Sequence, residues 1–177
     1  MHDDGQRIRY AVISSILRSQ NKPLSLLDVG CGEGVILKHL EPGILSKYTG
    51  LDFAQSSLDN IHPRRELDRF ICSRIEDYVP DERWDAILFN EVLYYTSDPV
   101  AQIKKFERAL APGGIMVVSI FKKRKVWAYN NRCARRIKAY FSKASWMVKK
   151  AAEVNKIYEK LRWEIYAAQS ANPSASE

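Results

Sequence analysis

A chain of 177 residues is long enough for one domain with a sizeable core and short for two. With 46% apolar and 28% charged residues it falls outside the disordered and fibrous classes, and three widely spaced cysteines, Cys31, Cys72 and Cys133, offer neither a disulfide framework nor a Cys-x-x-Cys zinc site. The net charge of +7 is uneven: Met1 to Ile120 carry 14 Lys and Arg against 17 Asp and Glu, whereas Phe121 to Tyr166 carry 14 against 3.

The opening Met1-His2-Asp3-Asp4-Gly5 has neither the basic flank nor the apolar stretch of a secretory signal. No apolar run approaches the roughly 18 residues of a spanning helix, so a cytoplasmic protein without a membrane span is expected. Ile8, Val12, Ile13, Ile16 and Leu17 recur at helical spacing until Asn21-Lys22-Pro23 stops the pattern, which predicts one amphipathic helix packed on a sheet. The segment is short, leaving little chain to fold over a bound ligand as a lid. Short apolar runs then alternate with helical patterns, the mark of parallel strands joined by right-handed crossovers. Strands are expected at Leu24–Val29, Lys47–Leu51, Phe70–Cys72, Asp85–Asn90 and Gly114–Phe121. Asp85-Ala86-Ile87-Leu88-Phe89 and Ile115-Met116-Val117-Val118-Ser119-Ile120 are nearly continuous apolar runs, as central strands covered on both faces require.

Helices are expected over Val35–Leu40 and from the N-cap Asp98 and Pro99 through Val100, Ile103, Phe106 and Leu110, ended by Ala111-Pro112-Gly113-Gly114. In the last third, Ile137, Phe141, Ala144 and Val148 fall on one helical stripe while Arg132, Arg135, Arg136 and Lys143 take other faces. Lys150–Lys156 and Leu161–Ala168 can pair as a closing hairpin, with more helix the alternative for the first of them. The expected organisation is a single domain over 1–168, with a core over 6–121 and a basic part over 122–168. A small-residue tail occupies 169–177, too polar to form a packed face.

The most informative stretch is Leu27-Asp28-Val29-Gly30-Cys31-Gly32-Glu33-Gly34, where a strand runs into closely spaced glycines and a helix. Glycines there let the backbone turn sharply and approach a ligand, and the N–H groups near the helix start favour a carboxylate or phosphate. The spacing is Gly-x-Gly-x-Gly, one residue short of the dinucleotide fingerprint. Asp28 would repel a pyrophosphate but can hold an ammonium group, directly or through water. Spacing and chemistry together favour S-adenosylmethionine. Asp52, in Gly50-Leu51-Asp52-Phe53, stands at the end of the next strand, where its oxygens can accept from both ribose hydroxyls while Phe53 covers the adenine. It can equally cap a helix starting near Ala54.

These segments, with Trp84-Asp85-Ala86-Ile87-Leu88-Phe89-Asn90-Glu91-Val92-Leu93-Tyr94-Tyr95 and Leu110-Ala111-Pro112-Gly113-Gly114, resemble the class I S-adenosylmethionine-dependent methyltransferases of small-molecule type. The resemblance covers about Leu24 to Phe121. It implies an α/β, Rossmann-like sheet of seven strands in the order 3-2-1-4-5-7-6, the last strand antiparallel, with helices on both faces. It also implies a cofactor whose amino acid end meets Asp28, the Gly30-Cys31-Gly32 turn and the Asn90 backbone, whose ribose meets Asp52, and whose adenine lies near Phe53 and Arg74-Ile75-Glu76. S-adenosylhomocysteine would be the product. Arg74 departs from the family, which often has an acid there to accept from the adenine amino group; the contact would pass to Glu76 or to the Ile75 backbone.

Methyl transfer from a sulfonium needs chiefly alignment and exclusion of water, so a dedicated base is optional. None of His2, His39 and His62 lies in a segment expected to face the methyl group. Asn90-Glu91-Val92-Leu93-Tyr94-Tyr95 leaves the fourth strand at its carboxyl end, where open sheets bind ligands, and Glu91 and Tyr95 are the candidate catalytic residues. This run is similar to the corresponding segment of nodulation-type N-methyltransferases, although Tyr94 and Tyr95 can also serve simply to close the cofactor pocket. Acceptor specificity would come from the loops at Glu91–Ser97 and Lys122–Asn131, or from a partner subunit. Two acceptor classes stay open. One is a small metabolite with an amine or hydroxyl, anionic acceptors included. The other is RNA, read by the basic residues after Phe121 with Trp127, Tyr129, Tyr140, Phe141 and Trp146 interleaved; a solvated helix face with its aromatics turned inward accounts for the same pattern. Nothing in the sequence indicates a metal or an oligomeric state.

Overall fold

The computed structural model describes residues 4–123, 128–142, 146–156 and 161–170. In chain order the elements are α1 (Asp4–Arg18), β1 (Leu24–Val29), a 3-10 turn (Val35–His39), β2 (Leu45–Asp52), α2 (Gln55–Leu58), β3 (Arg69–Cys72) and β4 (Trp84–Asn90). Next come a second 3-10 turn (Leu93–Tyr95), α3 (Pro99–Glu107), β5 (Leu110–Lys123), α4 (Ala128–Phe141), β6 (Trp146–Lys156) and β7 (Leu161–Ser170).

The fold is α/β with a mixed sheet. Strands run in the order β3-β2-β1-β4-β5-β7-β6. The first five are parallel, with Asp28 opposite both Gly50 and Leu88, and β7 lies antiparallel to β5 and to β6. Alternation along each strand feeds two cores, one on each face. Leu24, Leu26, Ala86, Leu88, Ile115 and Val117 pack with Ile13, Ile16 and Leu17 of α1 on one side. Leu27, Val29, Ile87, Phe89, Met116 and Val118 pack with Ile103 and Phe106 of α3 and Ile137 and Phe141 of α4 on the other. Both faces are covered, which is why the central strands read as unbroken apolar runs.

Local chemistry sets the element ends. Asp98 accepts from the Val100 and Ala101 amides at 3.0 and 3.2 Å with Pro99 in the first turn, so α3 starts where a capped N-terminus requires. The expected helix over Val35–Leu40 is instead a five-residue 3-10 turn. It begins on Gly34 in a left-handed conformation without a side-chain cap, and Leu40 is already extended. It therefore has no developed helix dipole to attract an anion.

Three further expectations are corrected. Ile8 is 50% exposed, whereas Arg9 is only 4% exposed. The inward face of α1 keeps Val12, Ile13, Ile16 and Leu17 of the apolar stripe but takes Arg9 in place of Ile8, the guanidinium lying 3.6 Å from Glu91 Oε2 just after β4. α3 stops at Glu107, and Leu110 is already paired with Trp84; an irregularity between Trp84 and Ala86 absorbs Ala111–Gly114, with Gly113 at φ 74. α4 ends at Phe141, and Val148 lies on β6 opposite Ala168, because ten residues of β7 offer β6 a full ladder. Within α4, Arg132, Arg135, Arg136 and Lys138 are exposed while Tyr140 and Phe141 are buried, and so is Trp146 at the start of β6. Of the expected tail over 169–177, Gln169 and Ser170 instead end β7, because they pair with Ile115 and Trp146; residues 171–177, His2, Trp127, Lys143 and Ala144 lie outside the described residues, as does the Tyr129 side chain.

Candidate functional site

The chain leaves β1 toward β2 on one side and reaches β4 on the other, so the sheet has its topological switch point between β1 and β4, where open sheets accept ligands at the strands' carboxyl ends. A cavity of about 600 Å³ lies at that edge. The carboxyl ends of four strands supply its wall: Gly30 after β1, Leu51, Asp52 and Phe53 from β2, Ser73 to Glu76 after β3, and Glu91, Val92, Tyr95 and Thr96 after β4. Of the residues singled out in the sequence, Gly30, Asp52, Phe53, Arg74, Ile75, Glu76, Glu91 and Tyr95 thus share one wall. Asp28, Cys31, Gly32 and Asn90 stand behind or beside it.

The turn after β1 is held by the Gly30 and Cys31 amides, which both donate to the Leu51 carbonyl, at 2.7 and 3.0 Å. Gly30 has φ 74, and a Cβ there would stand 2.5 Å from Val92 Cγ2, so only glycine lets the turn and the segment after β4 meet. Gly32, at φ 53, faces open space: a Cβ there would meet nothing within 4 Å. The Cys31 thiol turns inward against Gly50, and burial pushes its pKa up, so it is a packed thiol rather than a nucleophile.

Asp28 is 2% exposed. The Tyr48 hydroxyl donates to its Oδ2 at 2.8 Å, and Oδ1 has no partner. Burial pushes the Asp28 carboxyl up to about 7, with the Tyr48 hydrogen bond opposing and the Asp52 charge adding to the rise. Asn90, at the end of β4, also has a buried, unpartnered side-chain oxygen. Asp52 spans the cavity floor: Oδ2 accepts from the Gly32 amide at 2.8 Å and Oδ1 from the Ala54 amide at 3.0 Å. Asp52 thus anchors the Gly32 turn and the Ala54 amide rather than capping α2, whose N-cap Ala54 has no side-chain cap, and since a carboxylate offers about four acceptor positions two remain for a ribose. At the other side of this floor Phe53 is 76% exposed, and the Arg74 side chain is largely in solvent, its Nε 3.8 Å from Glu76 Oε2. Lys105 from α3 donates to the Ile75 and Glu76 carbonyls and fixes that turn.

Glu91 is the other fixed point. It is one of two non-glycine residues with positive φ among the described residues, at 64, a conformation that costs of order 1–3 kcal/mol and is kept where the surroundings over-determine it. Its amide donates to the Ser119 carbonyl at 3.1 Å. Its Oε1 accepts from Ser119 Oγ at 2.8 Å and Oε2 from the Tyr94 hydroxyl at 3.4 Å, with Arg9 Nη1 3.6 Å away. Burial raises the Glu91 pKa, against the Arg9 charge and the Ser119, Tyr94 and Phe121 donors. Tyr95 is 78% exposed at the rim, its ring 4.6 Å from that of Tyr94.

No histidine among the described residues lines the cavity; His39 stacks on Tyr10 at 4.8 Å and His62 is exposed. No cluster of potential metal ligands occurs among the described residues, and no described helix is long and apolar enough to cross a membrane. Sequence reasoning missed three participants. Tyr48 shares the strand parity of Gly50 and Asp52, a usable signal once Asp28 is known to lie opposite Gly50. Ser73 gave none, while Thr96 falls in the Glu91–Ser97 loop already singled out. Arg9 gave a signal of the wrong sign, a charge beside an apolar stripe.

The "Methyltransferase domain" family model matches residues 4–156. A malonyl-[acyl-carrier protein] O-methyltransferase of Bacillus cytotoxicus is 32% identical over 111 residues, 60% of this chain and 38% of that protein. A ubiquinone biosynthesis O-methyltransferase of a Bradyrhizobium species is 32% identical over 101 residues, 54% of this chain and 39% of the relative. The chain thus spans well under half the length of these curated relatives. Among solved structures, the N-methyltransferase NodS from Bradyrhizobium japonicum in complex with S-adenosyl-L-homocysteine superposes with a TM-score of 0.80 at 17% identity. That superposition covers 97% of this chain and 90% of that one. With the switch-point cavity and the glycine turn already in place, the family match over 4–156 settles the relationship: the chain belongs to the methyltransferase domain family.

Proposed function

We propose that this chain binds S-adenosylmethionine along the wall from Ile75 to Glu91 and transfers its methyl group to an amine or hydroxyl of a small metabolite, anionic acceptors included. The observation that carries the reading is the continuity of one cavity from Phe53 and Ile75, past Asp52 and Gly30, to Glu91 and Tyr95. Two buried carboxylate and amide oxygens without partners, on Asp28 and Asn90, and the open side of Gly32 fit an ammonium-bearing amino acid end. When bound, the cofactor supplies an electrophilic methyl carbon on a sulfur that departs as a neutral thioether.

The chain's own residues then divide the work. Asp28, through its free oxygen, compensates the ammonium charge. Asp52 accepts from the ribose hydroxyls with the acceptor positions left by Gly32 and Ala54. Phe53 and Ile75 cover the base, and Glu76 or the Ile75 backbone replaces the acid that Arg74 supplants. Glu91 and Tyr95 meet the acceptor, aligning it by hydrogen bonds while the wall excludes water.

The names of the relatives point to malonyl-[acyl-carrier protein] and ubiquinone biosynthesis, and that of the structural neighbour to N-methylation; these acceptors differ in class, one of them being carrier-linked, and the small N–H or O–H acceptor is our own reading. Support for an RNA acceptor is weaker: α4 exposes four basic residues, but Tyr140, Phe141 and Trp146, the interleaved aromatics whose side chains are described, are buried. The test is transfer of labelled methyl groups from S-adenosylmethionine to panels of amines, alcohols, phenols and RNA. Labelling of metabolites supports the reading. Labelling of RNA alone overturns it, and cofactor binding with no transfer to any acceptor favours a binding protein without catalysis.

A further inference from the structure

Arg9 is the one arginine of α1 that points into the protein interior among the described side chains. Its guanidinium carbon sits 4.9 Å from the Tyr10 ring centroid and 5.8 Å from that of Trp163 on β7, and its Nε has no hydrogen-bond partner. A methionine of similar length would fill this space without the cost of burying a charge. What the charge has in front of it is Glu91, whose Oε2 lies 3.6 Å from Arg9 Nη1. The groups facing Glu91 come from three directions: Arg9 from α1, the Ser119 hydroxyl and Phe121 backbone from β5, and the Tyr94 hydroxyl from the turn after β4. Arg9 is the cation in that set, and it approaches from behind the cavity wall, since it is not among the lining residues.

We propose that Arg9 is a positioning residue, which from α1 holds the Glu91 carboxylate ionised and in one orientation at the cavity wall where the acceptor is received. The inference rests on the reading of the cavity given above. Ser119 donates to one oxygen of Glu91 and Arg9 stands against the other, so each oxygen of the carboxylate has its own partner. Because Arg9 also stacks on Trp163, the placement of Glu91 depends on α1 and β7 together, two elements that contribute no residue to the cavity wall. α1 thus acts on the cavity wall through a charge.

The experiment is a carboxyl-carbon NMR titration of the full chain labelled at glutamate, with Glu91→Gln identifying the Glu91 signal. Arg9→Met and Arg9→Lys are compared with the wild type, alongside S-adenosylhomocysteine affinity by calorimetry. Arg9→Met is expected to raise the Glu91 midpoint by about one pH unit or more, with Arg9→Lys restoring most of the shift. Cofactor-product affinity is expected to stay unchanged. An unmoved Glu91 midpoint in folded Arg9→Met overturns the proposal, and an unmoved midpoint with lost S-adenosylhomocysteine affinity makes Arg9 a cofactor ligand instead. If Arg9→Met does not fold, Arg9→Gln, which keeps a polar head without charge, decides by the same midpoint. A wild type that binds no S-adenosylhomocysteine would sink the cofactor reading while the Glu91 titration still decides the role of Arg9.

Discussion

The Tyr48 hydroxyl on β2 donates to Oδ2 of Asp28 on β1 at 2.8 Å, leaving Oδ1 of the same buried carboxyl without a partner. One oxygen is thus held by the fold and the other is left for a ligand. With the carboxyl raised to about 7 from an ordinary 3.8, the folded protein prefers Asp28 protonated. Stability from this group is present below the unfolded value near 4 and is lost as pH rises through about 7, a loss on the order of 4 kcal/mol once the group is ionised. Asp28→Asn should therefore flatten the decline in thermal stability between about pH 4 and 7. A bound ammonium has the opposite preference, so S-adenosylhomocysteine should bind wild type more tightly as pH rises from about 6 to 8 and release a proton. Melting curves and calorimetry across pH in two buffers check both, and a pH-independent affinity would contradict the assignment of Asp28.

Gly30 and Gly32 should respond differently to alanine. At Gly30 the new Cβ meets Val92 Cγ2 at 2.5 Å on top of a left-handed backbone, so Gly30→Ala should cost about 2–5 kcal/mol. Val92→Ala in the same chain should recover the steric part. At Gly32 there is no clash, only the backbone term of about 1–2 kcal/mol, so Gly32→Ala should fold and lose affinity for the cofactor. Denaturant melts and calorimetry on the three variants separate the two glycines.

Much of this arrangement could be read from the chain because each feature had a local cause. Asp98-Pro99 marked the start of α3, and the apolar runs of β4 and β5 marked strands buried on both faces. Glycine spacing placed the turn that Val92 packs against. What escaped depended on contacts distant in sequence. Arg9 is buried because Glu91 and Trp163 lie opposite it, so a stripe drawn on α1 alone chose Ile8 instead. The helix drawn through Val148 failed because β7, not the local period, claims that residue. The wall made by Ser73 and Thr96 exists only once four strand ends are brought together.

Asp52 holds two amides and faces the cavity, so it should affect stability and binding separately. Asp52→Ala, which abandons the Gly32 and Ala54 amides, should destabilise by about 1–3 kcal/mol. It should also weaken S-adenosylhomocysteine binding about 10- to 100-fold through the lost ribose contacts. Asp52→Asn, with one acceptor oxygen remaining, should fall between. If Asp52→Ala lost stability but kept full affinity, Asp52 would be a loop anchor only.

Glu91 and Tyr95 differ in exposure and should differ in effect. Glu91→Gln keeps size and some hydrogen bonding but cannot take a proton, so turnover should fall by about 100-fold or more where proton acceptance matters. Tyr95→Phe, at the exposed rim, should raise the acceptor KM more than it lowers kcat. Steady-state assays with an acceptor found in the labelled-methyl screen test both. Unchanged turnover and acceptor affinity in the two variants would remove them from the site.

The most direct measurement is a calorimetric titration of the wild-type chain with S-adenosylhomocysteine near pH 8, repeated with Asp52→Ala. Saturable binding at one site per chain, sharply weakened in the variant, is the predicted result. No heat of binding to a folded wild type, or equal binding by both proteins, would contradict the placement of the cofactor along the wall from Ile75 to Glu91.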